Sequence, residues 1–262
     1  MKKIKLLLTP LVFVLIFSSM ITTSSVSAES KSKNNKVSVS VLQPDSATEK
    51  VFEKAEYIVK PDGSEVINIK GFHGKNDGIQ TYDVEIDEKN KTYVATKMQG
   101  EELNTTKESI AKEVNEENTT KESIVKMENS LLATMSGGII ATTDDPVGAD
   151  LAITKHKLYW TSGGYDHRTG SAWGANPSSL GTHWYVNENR FAGLTTIDGG
   201  ETVYSKLYTS YYNYDFQSND QRTDISHSVI IYGYTAGGFN YDVSWTKSGE
   251  ASWLLDLDIS LY

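Results

Sequence analysis

The 262-residue chain has no cysteine and only five prolines. Without thiols there is no disulfide framework, no thiolate nucleophile and no thiolate metal site, so an exported domain of this sequence must be held by packing alone. Cations are outnumbered, with 25 Lys and Arg against 34 Asp and Glu and a formal charge of -9. That balance argues against nucleic acid as a partner and against cationic capture by anionic lipid. Catalytic signatures are scarce too: the sequence contains no G-x-S-x-G elbow, no H-E-x-x-H helix, no P-loop and no dinucleotide fingerprint after a strand. The S-x-x-K matches at Ser109 and Ser123 sit on repeat copies without companion motifs and are read as chance.

What is present begins with a short basic start, "MKKIK", an apolar run, "LLLTPLVFVLIFSSMI", and small residues at "SVSA". This is the plan of a secretory signal peptide over residues 1–28, with Val26 and Ala28 at the cleavage site, and it places the mature chain outside the cell from Glu29 onward. No later stretch approaches the ~20 apolar residues of a spanning helix.

The remaining chain divides by composition, since all five tryptophans and most tyrosines follow residue 150. Residues 29–49 are polar and expected to be disordered. Residues 50–100 alternate strand-like runs with turn signals and read as a small β module, an antiparallel meander. Residues 101–133 hold a tandem repeat of period fourteen, "NTTKESIAKEVNEE" from Asn104 and "NTTKESIVKMENS" from Asn118. Each copy opens with a capping box, Thr105 with Glu108 and Thr119 with Glu122, and Leu103, Ile110, Ile124 and Leu131 share one stripe, which predicts amphipathic helix. Such a helix serves either as a tolerant linker or as a docking or inhibitory segment. Residues 134–150, with Gly137, Gly138 and Pro146, read as a hinge open to proteases.

From residue 151 to 262 the texture is all-β, with seven predicted strands at the spacing of a sandwich or open barrel. The expected fold class is therefore α+β. In the C-terminal run, Trp253, Leu255, Leu257, Ile259 and Leu261 are expected to point one way and Asp256, Asp258 and Ser260 the other, so the apolar face is core. Period two also splits "TVYSKLYTSYYNYDF": Val203, Leu207 and Tyr211 share one face, while Tyr204, Tyr208, Tyr212 and Tyr214 share the other. With the first face buried, the second is a tyrosine ladder presented to solvent or to a ligand. Tyrosine's liking for strands would account for such a run without any ligand.

The glycine-rich loop over residues 161–184 gathers Asp166, His167, Arg168, Trp173 and His183. An acid, an imidazole and a guanidinium in succession suggest an envelope hydrolase centred on Asp166, His167 and His183, and His183 with His227 would complete a metal set. Neighbours in a strand point apart, however, and a loop carrying Trp173 suits a contact surface equally well. The aromatics carry the stronger signal, because their rings join an apolar body to a polar handle. Trp173, Tyr204, Tyr208, Tyr212 and Tyr214 are thus the expected binding residues, with no cofactor and no metal required. The expected partner is a target-cell envelope, through its membrane, a receptor or wall glycan.

On "DDPVGADLAITKHKLYWTSGGYDHRTGSAWG" and the tyrosine-rich strands after it, the chain resembles the large secreted bacteriocins of the geobacillin type from Bacillus-related bacteria. The resemblance rests on residues 144–262 and on the plan of signal, lysine- and glutamate-rich region and aromatic module. It implies an unmodified antibacterial toxin that depends on a folded domain and kills related Gram-positive cells, with an immunity protein as a further candidate partner. It carries no established active residues across. A wall- or matrix-glycan-binding module is the alternative that the residues leave open.

Overall fold

The computed structural model describes residues 39–40, 52–87, 92–98, 119–123, 133–176, 182–216 and 221–262, and among them there is no α-helix. The strands are β1 (Val39–Ser40), β2 (Lys54–Val59), β3 (Glu65–His73), β4 (Gln80–Asp87), β5 (Thr92–Lys97), β6 (Thr119–Ser123) and β7 (Met135–Asp144), followed by β8 (Asp150–Thr161), β9 (Gly164–Gly174), β10 (Tyr185–Ile197), β11 (Thr202–Asn213), β12 (Thr223–Tyr234), β13 (Phe239–Gly249) and β14 (Asp256–Leu261). They form two seven-stranded antiparallel sheets, one ordered β1-β2-β3-β13-β12-β11-β10 and the other β5-β4-β14-β7-β8-β9-β6. Strict alternation of buried and half-exposed residues along β11, β12 and β13 is what one buried sheet face requires.

This architecture overturns the α+β expectation. Most of the fourteen-residue repeat, including Thr105, Glu108 and Ile110, lies outside the described residues. The described part of the second copy, Thr119–Ser123, is a strand laid antiparallel on β9, so Thr119 and Glu122 do not open a helix there. A capping box is a local signal worth ~1 kcal/mol. The open edge of β9 offers a row of backbone partners instead, and the paired threonines suit a strand.

The residues assigned by sequence to a separate small β module join both sheets. β3 pairs with β13 in the first, and β4 pairs with β14 in the second. The 134–150 stretch, read as a hinge, carries β7, which is held between β14 and β8. All described residues fall in one compact unit spanning 34–262. Gly137 and Gly138 have a packing role within it, because a Cβ on either would run into the ring of Phe239 or of Tyr262. The C-terminal residue is tied to the same place: Gly138 donates its N–H to the Tyr262 carbonyl at 2.7 Å, and Tyr262 donates back at 3.0 Å.

The core between the sheets contains Trp160, Trp184, Trp245, Ile69, Val243 and Leu257. It also contains a polar seam. His227 of β12 is fully buried, with Nε2 2.8 Å from Thr143 Oγ1 and Nδ1 2.7 Å from Thr154 Oγ1. Thr154 lies 2.6 Å from Thr209 Oγ1, and the Tyr211 hydroxyl donates to the Ile153 carbonyl at 2.7 Å. The seam ties β7 and β8 of one sheet to β11 and β12 of the other, and its pairing offsets the cost of burying hydroxyls and an imidazole.

Candidate functional site

The inward residues of β11 include Val203, Leu207 and Tyr211, all essentially buried. Its even-numbered residues look out from the first sheet, and the register decides what each tyrosine meets. Tyr204 lies opposite Tyr232 of β12, with ring centroids 5.4 Å apart. Tyr208 lies opposite Ser228 on one side and Arg190 on the other, the guanidinium 5.0 Å from the ring centre. Tyr212 lies opposite Tyr185 of β10, stacked at 5.1 Å, and His183 stacks on Tyr185 at 3.8 Å. Tyr214 meets the edge of Tyr212 at 5.4 Å and is 43% exposed.

Arg222 closes this end of the ladder. Its guanidinium grips the Asp224 carboxylate at 2.6–2.9 Å and sits 4.6 Å from the Tyr212 ring and 5.8 Å from Tyr214. The hydrogen bond to Asp224 raises the guanidinium pKa further, so the cation over the rings is permanent. Phenol ionisation is suppressed at the other end. Burial, then the Asp242 carboxylate, raises the pKa of both Tyr204 and Tyr232, which therefore keep their hydroxyl protons as donors.

Between the two aromatic ends runs an open groove of about 560 Å³. Its floor is built from short polar side chains at successive register positions, Asn68, Ser244, Ser228, Ser226 and Thr246, with Tyr208 on its wall. Lys70 and Asp242 form an ion pair of 2.9 Å within it, and Lys206 rises beside Tyr208. Small hydroxyl side chains leave the sheet surface low and rich in donors and acceptors, with the taller Tyr208 and Ile230 beside them. Such a surface suits a ligand that presents both ring faces and hydroxyl groups.

The other sequence candidates are not brought together. Asp166 and His167 lie on β9 of the second sheet, with Nδ1 3.2 Å from Asp166 Oδ2 and the imidazole stacked on Tyr159 at 3.9 Å. His183 precedes Trp184, whose N–H donates to the carbonyl of Ala175 beyond the far end of β9. Eight residues of extended chain separate position 167 from position 175, or ~26 Å, so His183 cannot complete a centre with Asp166 and His167. The metal set fails likewise: His227 is sealed in the core seam while His183 stacks on the outer tyrosines, and among the described residues no group of three or more His, Cys, Asp or Glu could hold a metal ion. Arg168 is buried, donating to the Gly193 carbonyl at 2.6 Å with its guanidinium 4.0 Å from the Phe191 ring centre. Trp173 is half-buried, opposite Ile153 in the second sheet and packed against the core, and so is not part of the outer face of the first sheet.

Sequence reasoning missed Tyr185, His183 in its stacking role, Arg222, Tyr232 and Lys206. Tyr185 and Tyr232 become neighbours of the ladder only through the register of β10 and β12 on β11. Comparison with protein-family models, with curated proteins and with solved structures finds no match for this chain.

Proposed function

We propose that the protein is a secreted, bacteriocin-like antibacterial protein that docks on the envelope of related Gram-positive cells through the outer face of its first sheet, docking being the step that precedes perturbation of the target membrane. The observation that supports this reading most is the placement of Tyr204, Tyr208 and Tyr212 on the outward face of β11, with Tyr214 just past its end, their rings engaged by neighbours and not consumed by the core. Secretion follows the signal-like N-terminus, and the bacteriocin resemblance supplies the target class.

The mode of attachment is polar as much as apolar. Large exposed apolar side chains on the described surface, such as Phe72, Val147 and Trp253, are scattered among different loops and strands, whereas the groove joins rings with hydroxyls. That favours a wall component or a receptor over bare lipid as the first contact, and it keeps the non-catalytic glycan-binding module as the second reading. The test is growth inhibition by purified protein on lawns of related Gram-positive species, with Tyr212→Ala and Tyr204→Ala alongside. Zones of inhibition that shrink with either variant support the reading. No inhibition across a broad panel removes it.

A further inference from the structure

The charges on the outer face of the first sheet are arranged against the sign of the chain as a whole. The register places four carboxylates there, Glu56, Asp242, Asp224 and Glu188, and each is held by a cation of the same face: Lys54 at 2.6 Å, Lys70 at 2.9 Å, Arg222 at 2.6 Å and Arg190 at 3.4 Å. Lys206 is left over. It stands on β11 between Tyr204 and Tyr208, lines the groove, and makes no ion pair among the described residues. In a chain of net charge -9, the groove is lined by three lysines, Lys60, Lys70 and Lys206, against two carboxylates that are already paired. The groove is thus a locally cationic strip on an acidic molecule, able to attract an anionic group that the rest of the surface repels.

The rings add a second constraint. Tyr208 lines the groove and lies in one register row with Ser228, Ser244 and Asn68, so a ligand laid across β11, β12, β13 and β3 meets a ring at one end and short polar side chains along the rest. Beside that ring it meets Ser228, Ser244 and Asn68 on successive strands, with Ser226 next to Ser228 on the same face, side chains small enough to let it lie close to the sheet and able both to donate and to accept. A flat peptide strand would seek a free sheet edge, and these groove residues lie on the interior strands β3, β13, β12 and β11. Polymers of sugar rings carrying negative groups satisfy all three features: ring faces for the tyrosines, hydroxyls for the serines, and an anion for Lys206.

We propose that this groove is a binding site for an anionic carbohydrate polymer, with sugar rings against Tyr208 and its neighbours and a phosphate or carboxylate group at Lys206. The inference rests on the reading above that this face does the docking, and it names the class of molecule docked. Phosphate and carboxylate present the same charge-assisted acceptor to the ammonium group, so the probes separate them.

The experiment measures retention of the purified full-length protein on three immobilised probes: phosphorylated dextran, polygalacturonate and plain dextran. Wild-type protein is expected to be retained on at least one charged polymer and not on plain dextran, with retention weakening as salt rises. Lys206→Gln is expected to lose about tenfold in affinity and most of the salt dependence, because one charge-assisted contact is removed. Tyr208→Ala is expected to lose affinity while keeping the salt dependence. Both side chains lie on the outer face of the sheet, and circular dichroism checks that each variant stays folded. Retention on phosphorylated dextran alone, or on polygalacturonate alone, assigns the anion. No retention on either charged polymer, equal retention on plain dextran, or wild-type affinity in both variants overturns the proposal. Growth inhibition without polymer retention would overturn the groove site and leave the antibacterial reading standing, whereas retention without inhibition would do the reverse.

Discussion

Thr154 and His227, on strands of different sheets and 73 residues apart in the chain, place a hydroxyl oxygen and Nδ1 2.7 Å from each other in the fully buried centre of the molecule. The other ring nitrogen lies 2.8 Å from Thr143. The imidazole is therefore clamped as a neutral group, one nitrogen donating and the other accepting, and burial holds its pKa down to about 3.

Acid should loosen the fold through this histidine. Its folded pKa lies below the ordinary 6.5, so the unfolded chain takes up a proton that the folded one refuses. Stability is then full above pH 6.5 and falls as the pH drops toward 3. At pH 5 the loss from His227 is about 2 kcal/mol by linkage. His156, also fully buried and held down to about 4, adds to it. Urea unfolding of His227→Gln between pH 7 and 4.5 should show a shallower decline than wild type. An unchanged slope would mean that His227 does not control acid unfolding.

An opposite dependence is built into the second sheet. Asp144 lies opposite Asp256 and Asp150 in the register, and Asp258 lies on the next outward position of β14, opposite Asp83. Burial, then the carboxylates of Asp258 and Asp150, drives the Asp144 pKa well above the usual 3.8. Asp258 is raised by burial and then by Asp83. A folded pKa above the unfolded one means that the folded state keeps protons the unfolded chain has released, so the cluster costs stability increasingly as pH rises above about 4. Asp144→Asn should therefore stabilise the protein by roughly 1–3 kcal/mol at pH 8 and much less at pH 4. Melting temperatures at the two pH values decide it.

Gly174 marks a backbone approach that tolerates no side chain. A Cβ there would collide with the carbonyl oxygen of Trp184, which is backbone and cannot swing away. Gly174→Ala should cost roughly 1–3 kcal/mol through forced displacement of the chain leading into β10. Because His183 and Tyr185 flank Trp184, the same change should also perturb the His183–Tyr185–Tyr212 stack. Denaturant unfolding reads the first effect and ring-current shifts of Tyr185 the second.

Removal of β14 should split a sheet. The strand lies between β4 and β7, and Leu257, Ile259 and Leu261 are essentially buried. Three such side chains represent roughly 5–9 kcal/mol of burial, comparable with the whole stability of an ordinary domain. Protein ending at Leu255 should show no cooperative unfolding transition. A cooperative melt would show that β4 and β7 can close on each other.

The aromatic ladder separates stability from function. Tyr212→Ala removes contacts with Tyr185, Tyr214 and Arg222, and Tyr185→Ala those with Tyr212 and His183, each for a stability loss of roughly 1–2 kcal/mol. Both should reduce adsorption to sensitive cells by a larger factor than that loss explains. Tyr211→Phe, on the same strand but facing in, should instead leave adsorption unchanged and cost about 1–3 kcal/mol, since it removes the donor to the Ile153 carbonyl. Equal adsorption by all three variants would remove the ladder from the docking face.

Residue order alone determined which side of β11 and of β14 is wet, but it also placed Trp253 inward, and that residue lies in a 3-10 turn ahead of β14 and is 65% exposed. Period two along Val203–Tyr214 and along Leu255–Leu261 divides inward from outward side chains before any partner strand is known, because consecutive side chains of extended backbone point to opposite faces. The sequence could not say which strands lie side by side. Tyr185 and Tyr232 reach the ladder, and Lys206 the groove, only through the pairings β10–β11 and β11–β12 and the way β13 and β3 extend them. The same limit explains the failed helix. Thr119 and Glu122 match a capping box, yet the free edge of β9, 48 residues or so further along, supplied a ladder that a local pattern cannot foresee. Likewise Gly137 and Gly138 read as a hinge until Phe239 and Tyr262, a hundred or more residues later, lay across them. Face is a property of neighbours in the chain, whereas register and packing belong to neighbours in space, and the groove is made of the second kind.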